Sequence, residues 1–250
     1  MGALGALGVG DWELEVESCP LIAWRDTHRL IPSRYPTIGP FDRVASADDL
    51  PALFELEGWT NDRISVELGI LSTIPREEWV TGPMASVVMA AFCHPRPGGG
   101  RFVGPQRGAW YAGRSLATAL AESIFHRSKE LAEVGGFDTR VEMRLYLADV
   151  RGSFHDVRPR AREDRGAGSP RGVPAQLAPL YDPDSYEASQ KLGDALLAEG
   201  SNGVLYRSVR DPRGQCVACF RPPLVRNVRI GGHFEYRWDG TPDPVVRRLV

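Results

Sequence analysis

Lysine is almost absent from this chain. It occurs only at Lys129 and Lys191 among 30 basic residues, so the positive charge is carried by arginine. Such a bias belongs to the whole chain, and arginine count alone therefore says nothing about phosphate binding; position has to supply that argument. The four cysteines, Cys19, Cys93, Cys216 and Cys219, are too few and too scattered for the disulfide scaffold of a small secreted protein. Cys216 and Cys219 form a CxxC, but no second pair accompanies it, and in a strand the two side chains point to opposite faces. A metal or redox role is therefore disfavoured. No run approaches the roughly 20 apolar residues of a membrane-spanning helix. The formal charge of -2 offers no global attraction to nucleic acid or to an anionic membrane. No internal repeat and no helix-turn-helix pattern is found.

What remains is an ordinary folded, soluble chain of 250 residues with 42% apolar and 25% charged residues, long enough to bury a sizeable core. Residues 1–20 begin with small apolar residues and lack a basic segment, which predicts a flexible leader rather than a signal peptide. A single domain is expected over 21–250, in the cytoplasm. Leu21 to Ile31 reads as an extended run. Ser46 to Leu56 reads as a helix, with Ser46 as cap and Asp48 and Asp49 at its positive end. Pro83 to Phe92 is a short helix apolar almost all round, hence buried. Gly108 to Gly113 reads as a strand, and Ser115 caps a long helix that Gly135 and Gly136 end. On that helix Leu116, Leu120, Ile124 and Leu131 share a stripe, and Glu122 falls opposite with Thr118, Phe125 and Lys129.

Further along, Val141 to Val150 alternates as a half-buried strand. Residues 158–179, rich in Pro, Gly and Arg, are expected to be an exposed, mobile insertion. A helix is predicted over Asp184 to Glu199. Short strands are predicted over Gly203 to Val209, Gln215 to Arg221, Val225 to Ile230 and His233 to Trp238, with Asp211 to Gly214 as a hairpin turn. Mixed short strands with helices and no regular βαβ alternation indicate α+β.

The most telling stretch runs from Gly100, Arg101 and Phe102 through Trp110 and Tyr111 to Glu122. It supplies a guanidinium fork for phosphate, an aromatic ring for stacking and a carboxylate for ribose hydroxyls. That combination suits a dinucleotide, NAD above all. Each residue also has a plain structural reading: Arg101 and Arg29 as surface or salt-bridge arginines, Tyr111 as a core aromatic, Glu122 as a solvated acid.

Taken in order, His28 to Pro36, Thr60 to Arg63, Gly100 to Phe102, Trp110 to Ala112, Thr118 to Glu122 with His126, Gly203 to Arg210, and Cys219 to Pro222 resemble the RES-domain family. The resemblance spans about Ala23 to Gly240. It implies an ADP-ribosyltransferase-like α+β fold and an NAD-degrading activity at the nicotinamide–ribose bond, with water or inorganic phosphate as acceptor. NAD would be substrate, and no cofactor or metal is implied. Many members are toxins neutralised by a partner antitoxin with an Xre-type helix-turn-helix domain.

The resemblance casts Arg29 and Arg101 as pyrophosphate grips and Tyr111 at the nicotinamide end. Glu122 would sit beside the ribose, and Ser208 would be a hydrogen-bonding group rather than a nucleophile. His126 either orients Glu122 or is a structural or exposed histidine. Asn61 and Arg63 either line the pocket or cap a turn, and Arg34 and Tyr35 are structural. The chain departs from short members at Gly99 to Val103, where they carry Gly-Gly-Arg-Trp-Asn, and in the insertion after Arg158. Two other functions stay open: ADP-ribose transfer onto a macromolecule, and a non-catalytic nucleotide-binding module. A homo-oligomer is also compatible with this sequence.

Overall fold

The computed structural model describes residues 7–9, 12–14, 19–35, 40–42, 48–49, 71, 73–159 and 173–249. Within the expected leader, β1 (Leu7–Val9) and β2 (Trp12–Leu14) pair as a small antiparallel hairpin. The rest is built on one eight-stranded mixed sheet. Its strands are β3 (Leu21–Pro32), β4 (Trp110–Gly113), β5 (Asp138–Ser153), β6 (His155–Asp156), β7 (Gly203–Arg207), β8 (Gln215–Cys219), β9 (Val225–Asp239) and β10 (Val245–Leu249), in the order β10-β9-β5-β3-β4-β8-β7-β6. Among the described residues, the α-helices of more than one turn are α1 (Ala85–Cys93), α2 (Leu116–Glu133) and α3 (Glu187–Ala198). This is an α+β architecture, as expected from the mixture of periodicities. No helix among the described residues is long and apolar enough to cross a membrane.

Strand alternation assigns each helix to a face. On β8, Val217 and Cys219 join the core around α1, whereas Cys216 and Ala218 join the core around α3. The CxxC cysteines thus lie on opposite sides of the sheet. On β5, Tyr146, Ala148 and Val150 face α1, while Met143 and Leu145 meet Phe234, Tyr236 and Trp238 of β9 beneath the Leu116, Leu120, Ile124 and Leu131 stripe of α2. Register carries Leu145 to Leu30, His28 to Gly113 and Gly113 to Cys216, so α2 and α3 share one face and α1 covers the other. The all-apolar sequence of α1 follows: Val87, Val88, Met89, Phe92 and Cys93 are all buried.

The seam of the sheet lies between β3 and β4, which are joined only at His28 and Gly113. The sheet is effectively two halves hinged at that pair, with α2 over one and α3 over the other. α2 starts beside the seam because Ser115 is extended and its hydroxyl accepts from the Thr118 amide. It stops in a Schellman turn, where Gly135 at φ 71 donates to Ala132 and Gly136 donates to Leu131.

Several expectations need correction. The two strands foreseen over Val225 to Ile230 and His233 to Trp238 are one strand, β9. Gly231 and Gly232 suggest a break, but the register instead slips there between Leu145 and Tyr146. A Cβ on Gly231 would come within 2.9 Å of the Leu147 side chain, so the glycine permits close strand approach rather than a turn. The edge strand β10 was not foreseen. Of the insertion expected to be exposed and mobile, the far end is anchored: Val173 is buried with Leu180 and Tyr181, and the Tyr181 hydroxyl donates to Val157 and accepts from the Arg207 amide. Residues 160–172, and the helix foreseen over Ser46 to Leu56 apart from Asp48 and Asp49, lie outside the described residues, as do Asn61 and Arg63; Asp48 and Asp49 stand in a turn and a bend.

Candidate functional site

The side of α2 opposite its apolar stripe is covered over its first turns, although Lys129 further along is exposed. Thr118, Glu122 and Phe125, one turn apart along the helix, all meet the turn that follows β7. Thr118 donates to Asp211 at 2.8 Å, Glu122 accepts from the Ser208 hydroxyl at 2.6 Å, and the Arg210 guanidinium carbon lies 3.3 Å from the Phe125 ring centroid. The turn is closed by Gly214 donating to Asp211 and Ser208 donating to Gly214. Asp211 and Gly214, read from sequence as a hairpin turn, therefore also strap the loop onto the helix.

Ser208 is buried, and its hydroxyl has a full complement of partners. It donates to Glu122 while accepting from the amides of Arg210 at 3.0 Å and Asp211 at 2.9 Å. A hydroxyl has one proton and two lone pairs, and all three are used. In this structure the Ser208 hydroxyl is engaged with Glu122 and the two amides. Only one oxygen of the carboxylate takes part in that bond.

The loop of Arg101 is pinned from two directions. The Tyr111 hydroxyl accepts from the Phe102 amide at 2.9 Å, and the side-chain amide of Gln190 on α3 donates to Gly98 and Gly100. Gly193 lets α3 approach so closely that a Cβ there would stand 1.7 Å from the Phe102 carbonyl oxygen. Arg101 itself is buried. One of its amino groups donates to the carbonyls of Leu180 and Asp182, and its guanidinium lies 4.6 Å over the Tyr186 ring. Its fork is thus partly spent on holding the 178–182 turn.

Arg29 belongs by alternation to the α1 side of β3, opposite Tyr146, yet its guanidinium reaches the seam. It donates to the Tyr111 carbonyl at 3.0 Å and lies 5.0 Å from the Trp110 ring centroid. It thereby supplies across the gap a bond that the splayed strands do not make. Desolvation first, and then the Arg96 charge, pull its pKa down to about 10, which leaves it a cation at neutral pH. Burial pushes the Tyr111 phenol well above its ordinary value, so it remains a neutral hydrogen-bonding group.

Tyr206 stands at the centre of this arrangement. It is buried edge-on against Phe102, ring centroids 5.1 Å apart, and Glu122, Tyr111 and Arg101 all act on its titration. Tyr111, Glu122, Ser208 and Arg101 are therefore brought together on the α2/α3 side, with Arg29 reaching them through the seam. Four participants were missed as site residues: Tyr206, Arg96, Arg127 and Arg210. The signal for two of them was present, since Tyr206 and Arg210 lie inside the motif around Ser208. Arg96 between two prolines and Arg127 beside His126 carry no such mark. His126 itself is held neutral. Burial, followed by the charges of Arg96, Arg127, Arg210 and Arg101, takes its pKa down to about 2. Arg34 stacks on Tyr35, and the Tyr35 carbonyl accepts from Arg144, which fits their expected structural role. No group of three or more His, Cys, Asp or Glu suited to a metal ion occurs among the described residues.

The local charge is thus opposite in sign to that of the whole chain. Arg96, Arg101, Arg127 and Arg210 all act on His126 and Arg96 also acts on Arg29, so that five cations outnumber the neighbouring acids Glu122, Glu130 and Asp211.

Residues 71–239 match the profile of the RES domain. An uncharacterised protein of Sinorhizobium fredii, y4oC, is 30% identical over 220 residues, covering 86% of this chain and 83% of that one. Among solved structures, the crystal structure of the M. tuberculosis MbcT–MbcA toxin–antitoxin complex aligns over 87% of each chain, with 14% identity and a TM-score of 0.42. The profile match, over more than half of the chain, places it in a known family: the chain belongs to the RES-domain proteins.

Proposed function

We propose that this protein degrades NAD by cleaving the bond between nicotinamide and ribose, with Glu122 as the catalytic carboxylate. The observation that carries the reading is the Glu122–Ser208 pair set beside a cluster of arginines. A dinucleotide joins a pyrophosphate to a ribose, and the pairing of arginines with a carboxylate held by a serine supports the reading of a site for both. Arg29 and Arg101 would hold the pyrophosphate with the parts of their forks not bonded to main chain. Tyr111 would face the nicotinamide, neutral and able to stack.

When the C1′–N bond breaks, both electrons leave with nicotinamide, which departs neutral. The ribose becomes oxocarbenium-like, and the Glu122 carboxylate stabilises that positive charge and orients the ribose hydroxyls. Water or inorganic phosphate then bonds to C1′ and gives up its proton. Ser208 fixes the carboxylate before the reaction, so no reorganisation is needed as charge develops. No metal or cofactor enters this scheme. Membership of the RES family further suggests a toxin held in check by an antitoxin of Xre type, in the cytoplasm. Asn61 and Arg63 are proposed to line the same site. ADP-ribose transfer to a macromolecule uses the same first step and differs only in the acceptor.

Proton NMR of NAD incubated with the purified protein tests this. Free nicotinamide should accumulate, and repeating the reaction with phosphate identifies the acceptor from the sugar product. NAD that stays intact through prolonged incubation refutes the proposal.

A further inference from the structure

His126 lies on α2 one helical turn after Glu122 and one before Glu130, and Arg96, Arg101, Arg127 and Arg210, from separate segments, all act on its charge. Arg96 and Arg101 come from the loop between α1 and β4, Arg127 from α2 itself, and Arg210 from the turn after β7. What holds each of them is informative. Arg210 donates to the Pro183 carbonyl and covers the Phe125 ring, whose centroid is 5.4 Å from that of His126. Arg101 donates to two carbonyls and covers Tyr186. Among the described residues, only Arg127, at 2.5 Å, and Arg96, at 3.7 Å, meet an acid, and they meet the same oxygen of Glu130.

Carbonyls and ring faces fix a guanidinium without cancelling its charge. The acids near this point are Glu130, already shared by two arginines, Glu122, tied to Ser208, Asp211, bonded to Thr118, and Asp182, which acts with Arg101, while Tyr186 hydrogen-bonds Arg210. The result is a pre-set group of cations with a neutral imidazole among them. Nothing in the packing of a core calls for such a group, and the aromatic and main-chain holds keep the forks in place before any ligand arrives. An anion is the one kind of ligand that all of these groups would favour together.

We infer that His126 is a proton-coupled reader of phosphate: an anionic phosphate group entering among Arg96, Arg127 and Arg210 is bound together with one proton taken up by the His126 imidazole. The inference rests on the reading of this cluster as the substrate site and assigns to it a property which that reading does not contain. In the empty protein, burial and the four arginines keep the imidazole neutral. A bound anion reverses the local sign and favours imidazolium, which then adds a donor to the anion. Binding is therefore insensitive to pH on the alkaline side. It tightens as pH falls through the pKa that His126 reaches in the complex, by about tenfold per pH unit below it. A phosphate group of a dinucleotide and one free in solution both present the same oxygens.

The test uses the full chain and two probes that do not titrate between pH 5 and pH 8: sulfate, for a free anion, and ADP-ribose, for a pyrophosphate. Imidazole NMR resonances of His126 are followed against pH with and without each, and calorimetry in buffers of different ionisation heat counts the protons bound. The expected result is a raised His126 pKa and uptake of roughly one proton per anion near the acid end of the range. A response to sulfate assigns the seat to a free anion as well as to substrate, and a response to ADP-ribose alone assigns it to the pyrophosphate. ADP-ribose binding with His126 still neutral, or with no proton uptake, overturns the inference. His126→Gln should flatten the pH profile of ADP-ribose binding, and a variant profile as steep as the parent's also overturns it. The wild-type spectra decide the matter should that variant not fold. NAD turnover is scored separately: an inactive protein whose His126 responds refutes the NAD reading alone, and an active enzyme whose His126 does not respond refutes this inference alone.

Discussion

Replacing Ser208 by alanine removes one hydroxyl with three partners. The bond to Glu122 is short, at 2.6 Å, and its acceptor is a carboxylate. Hydrogen bonds to charged groups contribute about 1.5–3 kcal/mol, and each buried amide left without a partner costs about 1–3 kcal/mol. The amides of Arg210 and Asp211 are the ones exposed to that loss. Allowing for water reaching part of the turn, Ser208→Ala should lower unfolding stability by about 3 kcal/mol. A double-mutant cycle with Glu122→Ala, read by urea unfolding, should give a coupling of about 1.5–3 kcal/mol, because each single variant already removes the shared bond.

Turnover should behave in parallel. A well-placed electrostatic group is worth about 3–4 kcal/mol in the transition state. Letting Glu122 drift forfeits part of this, so Ser208→Ala should slow NAD consumption by about tenfold or more, equivalent to about 1.4 kcal/mol. On the Glu122→Ala background the same change should slow it no further. Additive effects in both assays, within about 0.5 kcal/mol, would refute the reasoning, because the two side chains would then be acting independently.

Gly193→Ala should destabilise strongly, since its methyl would fall 1.7 Å from the Phe102 carbonyl oxygen; thermal unfolding should show a loss of about 2 kcal/mol or more. Of the four cysteines, only the exposed Cys19 should react with a thiol reagent in the native protein. Cys93, Cys216 and Cys219 are buried, and burial lifts the Cys219 thiol to about 12, so those three should react only on unfolding. His126 should make the protein acid-sensitive. Its folded pKa, about 2, lies below the ordinary value of 6.5, so the unfolded chain binds the extra proton first and stability falls as pH drops below about 6.5. Urea midpoints measured between neutral and acidic pH should fall less steeply in His126→Gln than in the parent.

The elements that were legible in the sequence are those whose signals are local. The Ser115 cap and the Gly135–Gly136 stop mark α2 within a residue or two, and the unbroken apolar character of α1 announces burial. The alternation of Val141 to Val150 marks β5. Its partner β9 was split because a pair of glycines resembles a turn when the strand that presses against it is out of sight. β10 packs Val246 against the core but sets Arg247 and Arg248 at an exposed edge, so its five residues show no regular apolar alternation to betray it. At the site, order along the chain was enough to mark Glu122, Tyr111 and Arg101, but not what each one touches. That Ser208 is saturated by Glu122 and two amides, or that Arg101 is half occupied by the 178–182 turn, depends on segments some 80 residues apart meeting in space. Arg96 and Arg127 were invisible for the same reason, since in a chain so rich in arginine only proximity separates these from the rest.

The central claim is that a carboxylate held by a serine, beside a cluster of arginines, breaks the nicotinamide–ribose bond. The rate of nicotinamide release from NAD by the wild-type protein and by Glu122→Gln measures it most directly. The account predicts steady release by the wild type and a rate at least about a hundredfold lower in the variant. Equal rates in the two, or no release by the folded wild-type protein, would contradict it.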